Sequence, residues 1–468
     1  MLGLYGEYDV VVAGAGIAGT VAALAAAREG ARTLLVEEGG FVGGMVTGGR
    51  LTKPHGVVEE GSLYFELLKR AEKMGGADTT TMRTSWGEFT GIFDPEIIQR
   101  VILDALDEAK VEMLLHARVT EVVVDPNKRT KGLEVIVKSG RRLVLAPVLV
   151  DATGDGDVAV LAGADVLLGR PGDGKMQPMT SYMRVLNVDT PRFAAFMREH
   201  PEEFTEYVLP QKASNRREDY TFRLHATGFH SLIKQAKAAG EWDVPKDHVT
   251  AKAGMLPGEM NFNASRVHGN ALDERELTRA ELALRRQSYT IFNFFKNYVP
   301  GFEESAIMDI ASRIGVRETR RVVGDYLLTA ADVQSEHKFE DAIGLSRSGI
   351  DIHDPTGDKL FQTSIGRGYG IPYRCLLAKG IEGLLVAGRC ISSADEVSYG
   401  SVRQTPACGT TGEAAGTAAA LAVRAGVSPR QVDIASVQSL LSSRGIPLGN
   451  TAPIPTPVME AQKRKQEA

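Results

Sequence analysis

The chain of 468 residues, 43% apolar and 24% charged, is long enough for two packed domains and too apolar to be disordered. Its net charge of −5 comes from 54 basic and 59 acidic residues with no long basic run, which argues against nucleic acid as a partner. Its three cysteines, Cys375, Cys390 and Cys408, make no CxxC pair, so reduced thiols are expected rather than a disulfide framework or redox-active dithiol.

Met1-Leu2-Gly3-Leu4 has neither a basic n-region nor a signal-length apolar core, and the apolar stretch Ile17 to Ala27 is too short to span a bilayer. The expectation is a cytoplasmic protein with no membrane partner. Asp9-Val10-Val11-Val12 reads as a short apolar strand running into Gly14-Ala15-Gly16-Ile17-Ala18-Gly19. An alanine-rich helix follows to about Glu29, Gly30 ends it, and Thr33-Leu34-Leu35-Val36 is a second strand with Glu37 at its tip. This is a strand–turn–helix–strand unit carrying the dinucleotide fingerprint. Gly14 permits the tight turn, Gly16 lets backbone approach a pyrophosphate, and Gly19 lets helix and strand pack closely. The pyrophosphate meets the positive end of the helix. Glu37 can accept from a ribose 2′-hydroxyl and would repel a 2′-phosphate. GxGxxG alone is a weak signal in a chain with 50 glycines; its flanking strands, helix and acid make it a strong one.

The unit specifies a dinucleotide without saying which. Glu37-Glu38 followed by Gly43-Gly44-Met45-Val46-Thr47-Gly48-Gly49 resembles the extended signature of FAD-binding proteins of the glutathione-reductase type, in particular the broad family of FAD-dependent oxidoreductases. The resemblance covers the N-terminus, residues 111–164 and residues 313–424. It implies FAD as cofactor, with Gly14, Gly16, Ala18, Gly19, Glu37, Glu38, Gly43, Gly44 and Met45 around it. It also implies a Rossmann-like α/β FAD-binding domain, with a central parallel sheet and a small β-meander, carrying an inserted α+β substrate domain.

Farther along, Glu59–Met74 has the spacing of an amphipathic helix, and Met82–Ile92 reads as a loop or short hairpin. Asp94 and Pro95 open another helix as N-cap and first residue. Val111–Asp125 reads as two strands, Gly132–Val137 and Arg141–Leu145 as a hairpin, and Val148–Val150 as a buried strand entering Asp151-Ala152-Thr153-Gly154. The resemblance puts Val119, Ala152, Thr153 and Gly154 beside the adenosine and pyrophosphate.

From Ala164 to about Ala342 the pattern changes to polar loops (Gly169–Lys175, Lys212–Tyr220) between segments rich in Arg, His, Met and aromatics. Residues 166–342 are expected to form the inserted substrate domain, between FAD-domain parts at 1–165 and 343–430, with 431–468 as a C-terminal segment. Asp273-Glu274-Arg275-Glu276 suggests a capping box opening a long helix. His225, His230, His248 and His268 lack metal-ligand spacing, so surface or loop positions are expected and no metal. In the basic run Arg313–Tyr326, Arg317, Arg320 and Arg321 can ring a carboxylate.

The last block holds Tyr369–Arg374, read as an extended turn, and the strand Gly383–Arg389 ending at Gly388. Related flavoproteins often carry Asp where Arg389 stands. A helix runs from about Pro406 to Arg424, with Gly409, Gly412 and Gly416 on one side, which implies a close neighbour. The resemblance puts the flavin near Gly388, Arg389, Val402, Thr405 and Pro406. Beyond Pro447 the chain is Pro-rich, then charged.

No second GxGxxG follows a strand, so a single-FAD oxidoreductase is expected, with no NAD(P)H domain. It would move a hydride between flavin N5 and a small organic substrate, by dehydrogenation of an alcohol or amine or reduction of an activated C=C. Catalytic candidates are Arg403, Asp395, Glu396 and Arg317, with Tyr399 and His353 behind them; family members often carry His where Asp395 stands. A flavoprotein acting on a macromolecule and a non-catalytic flavin redox sensor are the open alternatives. The external electron partner and homo-oligomerisation are undecided at this level.

Overall fold

The computed structural model describes residues 3–84, 87–209 and 224–449. The Lys212–Tyr220 loop and the charged tail lie outside those residues.

The fingerprint unit folds as its pattern predicts. Val10–Ala13 and Thr33–Val36 pair in parallel, Val10 opposite Thr33, and are buried throughout. Parallel neighbours need a crossover, and the Ile17–Arg28 helix supplies it, with every residue from Ile17 to Ala26 buried. Three distant segments complete a five-stranded parallel sheet in the order Leu384–Val386, Val148–Asp151, Val10–Ala13, Thr33–Val36, Glu112–Leu114. The Rossmann-like α/β class is thus present. Beside it lies the expected meander, Arg118–Val124, Thr130–Val137 and Gly140–Leu145, with Gly3–Glu7 added in parallel.

Local signals set most element ends. Ser62 caps the Leu63–Lys73 helix, so it starts later than Glu59, and Asp94 accepts from Glu96 N and Ile97 N ahead of Pro95. Ala77–Thr84 and Gly87–Phe93 form a hairpin. Two expectations are corrected. Tyr369–Pro372 is a strand paired with Ala342–Ser346 rather than an open turn. Asp273 caps the Glu274–Tyr298 helix, but the Glu276 carboxylate accepts from Asn270 N, so the box is not reciprocal.

A second, antiparallel sheet of six strands runs Phe204–Val208, His225–Gly228, Val249–Ala253, Met260–Asn263, Tyr182–Leu186, Ala306–Ile310. Strand side chains alternate between faces. On one face Met183, Ala226, Ala251 and Phe262 join Phe193, Phe229, Ile291 and Phe295 in an apolar core separate from that of the parallel sheet. The other face is polar. Among the described residues no helix is long and apolar enough to cross a membrane.

The Thr405–Ala425 helix ends at Gly426, which is left-handed with φ 66°. Its glycines explain themselves by what they touch. A Cβ on Gly412 would stand 2.2 Å from Ala18 O, one on Gly416 2.0 Å from Ala22 O, and one on Gly409 would press on Tyr64. The contact advances one turn on both helices together, so they run parallel, backbone against backbone. Gly416→Val is therefore expected to destabilise the fold by about 1–3 kcal/mol or more through overpacking. Thermal and urea unfolding measure this, and an unchanged midpoint would show that the helices are not in contact.

Candidate functional site

Two glycine-rich turns meet at the C-terminal end of the parallel sheet, where ligands of such sheets bind. Gly43, at φ 89°, donates from its N to Ala15 O over 2.6 Å and bridges to Gly16, while Gly44 leaves so little room that a Cβ would lie 2.9 Å from Gly16 Cα. Gly19 is equally constrained: its Cβ would fall 1.7 Å from Gly14 O. Gly16 differs. An added Cβ there meets no protein atom within 4 Å, because that side of the turn opens into a cavity.

The cavity measures about 790 Å³ and adjoins a hollow of about 210 Å³, with Gly14, Glu37, Thr153 and Arg313 in the walls of both. Most of the expected cofactor set lines the larger space: Gly14, Gly16, Ala18, Glu37, Gly43, Gly44, Met45, Ala152, Thr153, Gly154, Gly388, Arg389 and Thr405. Val119 and Glu38 line the smaller one. Gly19, Val402 and Pro406 are buried behind these walls and line neither. Of the catalytic candidates, Arg317, Arg403 and His353 face the cavity. Asp395 and Glu396 do not. The Asp395 carboxylate caps the Glu396–Val402 helix through Val397 N and Ser398 N and also accepts from Ala330 N at 2.8 Å, which leaves it no reactive face. Tyr399 donates to Arg317 O at 2.8 Å and so positions that arginine from behind.

Charge in the walls is mostly paired. Glu37 accepts from Ala15 N at 2.7 Å and Gly39 N at 2.8 Å, holding the first turn, and Arg313 bridges Glu37 and Glu38. Arg389 pairs with Asp155 at 2.6 Å across the sheet, so the acid often found after the glycine is replaced by an arginine that brings an acid to it. Burial alone would raise the Asp155 carboxyl; Arg389 and the Thr319 hydroxyl outweigh that and hold it below its usual range. Arg403 donates to the Asp351 carboxylate at 2.8 Å and to Asp351 O at 2.7 Å, and its Nε is buried without a partner among the described residues. Gln362 and His353 hold the same carboxylate. Burial pushes the Asp351 carboxyl up, but His353 and Arg403 hold it well below its ordinary value. Burial, with Arg317 adding repulsion, drives His353 down to about 3, so its imidazole is neutral.

The polar face of the antiparallel sheet closes the cavity from above. Tyr182, His225, Thr227, Thr250, Lys252 and Asn263 project into it, with Lys252 directly across from His225 and Tyr182 from Asn263. Asn263 donates to the Tyr182 hydroxyl at 3.0 Å. These residues and Arg313 escaped the sequence reading, although strands such as Val249-Thr-Ala-Lys-Ala show the alternation that marks a two-faced strand. The histidine expectation holds for His248 and His268, which lie in loops, and is corrected for the others: His225 is buried on a strand and His230 opens a helix, and both line the cavity, as does His248. Of the three arginines expected around an acid only Arg317 reaches the cavity. Arg320 pairs with Asp157 and lines the smaller hollow instead, and Arg321 is buried against Glu318. Among the described residues no group of His, Cys, Asp or Glu is arranged to hold a metal ion, and the three thiols are free and buried.

These walls fit FAD. The fingerprint helix starts at Gly16 and the glycine helix at Gln404; neither has a side-chain cap or a first-turn acid, so both offer free N–H groups and positive dipole ends to the cavity. Glu37 stands where the two hollows join, placed for a ribose, and Gly16 leaves the space a pyrophosphate needs.

A family model described as FAD dependent oxidoreductase matches residues 9–441. Digeranylgeranylglycerophospholipid reductase 1 of Methanococcoides burtonii is 28% identical over 170 residues, 35% of this chain and 41% of that protein. Protein FixC of Escherichia coli K12 is 56% identical over 135 residues, 25% of this chain and 30% of that protein. The chain thus matches less than half the length of either relative. A geranylgeranyl bacteriochlorophyll reductase-like protein from Thermoplasma acidophilum superposes with a TM-score of 0.49 at 14% identity, covering 94% of this chain and 84% of that one. A p-nitrophenol 4-monooxygenase from Pseudomonas putida gives 0.49 at 12%, covering 98% and 93%.

The contrast between Gly16 and its neighbours gives a test. Gly16→Val is expected to leave the melting temperature of the flavin-free protein unchanged while abolishing retained flavin, measured by absorbance after purification; a variant that keeps its flavin would rule out the pyrophosphate at this turn. Glu37→Ala removes charged hydrogen bonds worth about 1.5–3 kcal/mol each and is expected to weaken FAD binding at least about tenfold. Titration of the flavin-free protein reads this directly, and an unchanged dissociation constant would place the ribose elsewhere.

Proposed function

Because the chain belongs to the FAD dependent oxidoreductase family and is an FAD enzyme of that class, we propose that it transfers a hydride between a small organic substrate and the flavin N5. The reaction class is dehydrogenation of an alcohol or amine, or the reverse reduction of an activated C=C. FAD, when bound, supplies the two-electron acceptor or donor. The observation that carries the reading is the chamber itself: the polar face of the antiparallel sheet and the Arg403–Asp351–His353 group enclose a space continuous with the flavin site.

The side chains around that space have distinct tasks. Arg403, held by Asp351, lines the chamber and brings its guanidinium charge to a substrate oxygen or to the pyrimidine end of the flavin. The glycine-helix start adds its dipole at the same place. Tyr182 accepts from Asn263, so its own proton is free to point into the chamber; burial pushes this phenol up to about 12, and it stays a donor at neutral pH. His353, fixed between Asp351 and Arg266, keeps the carboxylate in place rather than exchanging protons itself. The sheet excludes water from the reacting atoms.

Anaerobic mixing of the yellow holoenzyme with a panel of alcohols, amines and hydroxy acids should bleach the flavin with at least one member, air restoring it. For the reverse direction, the chemically reduced enzyme should be reoxidised by an enoate. NADH and NADPH alone should reduce it slowly, since one dinucleotide unit is present. For whichever compound reacts, Arg403→Ala should lower turnover about 10²-fold or more, in the range measured for loss of one preorganised donor, with flavin content retained. A panel that neither bleaches nor reoxidises the flavin would remove the hydride-transfer reading.

A further inference from the structure

The substrate end of the chamber holds more positive charge than its surroundings neutralise. Arg403, Arg389 and Arg313 have acidic partners. Lys246 and Lys252 do not: they are 8% and 7% exposed, both line the cavity, and neither ammonium makes a hydrogen bond or ion pair with any described residue. Arg317 is buried with one N–H on Pro178 O and no carboxylate in ion-pair reach among the described residues. The acids facing this end are engaged or peripheral. Asp351 holds Arg403 and Gln362, Asp247 holds His248, Glu206 stands on the edge strand, and Asp358 lies exposed at the rim beside the equally exposed Lys359.

An unpaired ammonium taken out of water is strongly unfavourable. Burial pulls Lys246 down to about 7, with Arg266 and Arg317 adding repulsion against the smaller pull of Asp247 and Asp351. It pulls Lys252 down to about 8, against Asp351 and Glu206. His225 and His55, neighbours of Lys252, are held well below their ordinary values by burial and bring no charge of their own near neutrality. A ligand that carried the missing negative charge would reverse both shifts. The cations come from two places, the sheet for Lys252 and the loops bearing Lys246 and Arg317. A single acidic group suits one of them; a small molecule with an acid at each end suits both.

We propose that the substrate of this enzyme is a small dicarboxylic acid, its carboxylates received by Lys252 on the antiparallel sheet and by Lys246 and Arg317 on loops that line the same cavity. Thr227 and Thr250, whose hydroxyls lie 3.1 Å apart beside Lys252, complete the polar surface that receives it. The inference rests on the reading of this cavity as the substrate chamber.

The test uses the FAD-loaded enzyme and a binding signal, so it does not depend on turnover. Succinate, acetate, succinamide and inorganic phosphate are titrated by flavin difference spectra and by calorimetry in two buffers of different ionisation enthalpy. Succinate should bind at least about tenfold more tightly than succinamide or acetate, with net proton uptake near pH 8. Its affinity should fall as pH rises from 7 to 9, because the lysines attract it only while protonated. Lys246→Met and Lys252→Met should each weaken succinate about tenfold or more, while raising the melting temperature of the protein without succinate. A purely structural lysine would do the opposite to that temperature. Equal affinity for succinate and succinamide, no saturable anion signal, or phosphate binding to the exclusion of succinate each overturn the proposal. Succinate binding with no panel compound exchanging electrons with the flavin leaves this site standing and removes the hydride-transfer reading. A neutral alcohol that bleaches the flavin while no anion binds does the converse.

Discussion

Everything at the cofactor end depends on the contact of two parallel helices through glycine. Gly412 and Gly416 bring the glycine helix against the carbonyls of Ala18 and Ala22, closer than any side chain would permit. Parallel helices this near each other have aligned dipoles, which repel. What the arrangement obtains is a shared end: the uncapped starts at Gly16 and Gln404 open into one cavity. A dinucleotide with a pyrophosphate near one helix start and an electron-rich ring near the other offsets both the repulsion and the unsatisfied N–H groups.

The walls of the cavity follow two electrostatic rules. Around the cofactor the charges are closed into local pairs, Glu37 and Glu38 with Arg313, Asp155 with Arg389, Asp351 with Arg403. Each group sets backbone or side-chain geometry; the Asp155–Arg389 and Asp351–Arg403 pairs are neutral, and the Glu37–Arg313–Glu38 group keeps one negative charge. At the substrate end the balance is open, with Lys246, Lys252 and Arg317 lacking acidic partners among the described residues. A paired wall fits a molecule that is always present. An open one fits a charged molecule that comes and goes.

The antiparallel sheet joins these two regions because each of its strands faces both ways. Ala226, Ala251 and Phe262 anchor it to an apolar core of its own, and the residues between them, His225, Thr227, Lys252 and Asn263, look onto the cavity. The chemistry of the chamber is therefore carried on rigid ladder positions rather than on loops, which restricts how far its polar groups can adjust.

Much of the cofactor half was legible before any coordinates. The Val10–Ala13 strand, the Ile17–Arg28 helix, Glu37 at a strand tip and the paired glycine turns are local features, since a tight turn, a left-handed glycine or an N-cap is decided by a few neighbouring residues. Capping chemistry likewise placed Asp94 correctly, but spacing alone could not tell that Asp395 has the same duty. The chamber was not legible, because its members come from segments far apart: His225 meets Lys252 through strand register, Arg403 meets Asp351 through two separate elements, and Arg317 lines the cavity while Arg320 lines the smaller hollow and Arg321 is buried against Glu318. The sequence by itself determined the dinucleotide turn, its acid and the glycine face, because each is settled by steric contact within or beside its own segment. Only the tertiary structure decided which basic residues are paired and which stand unpaired in the cavity, because charge compensation depends on distances that no spacing along the chain encodes.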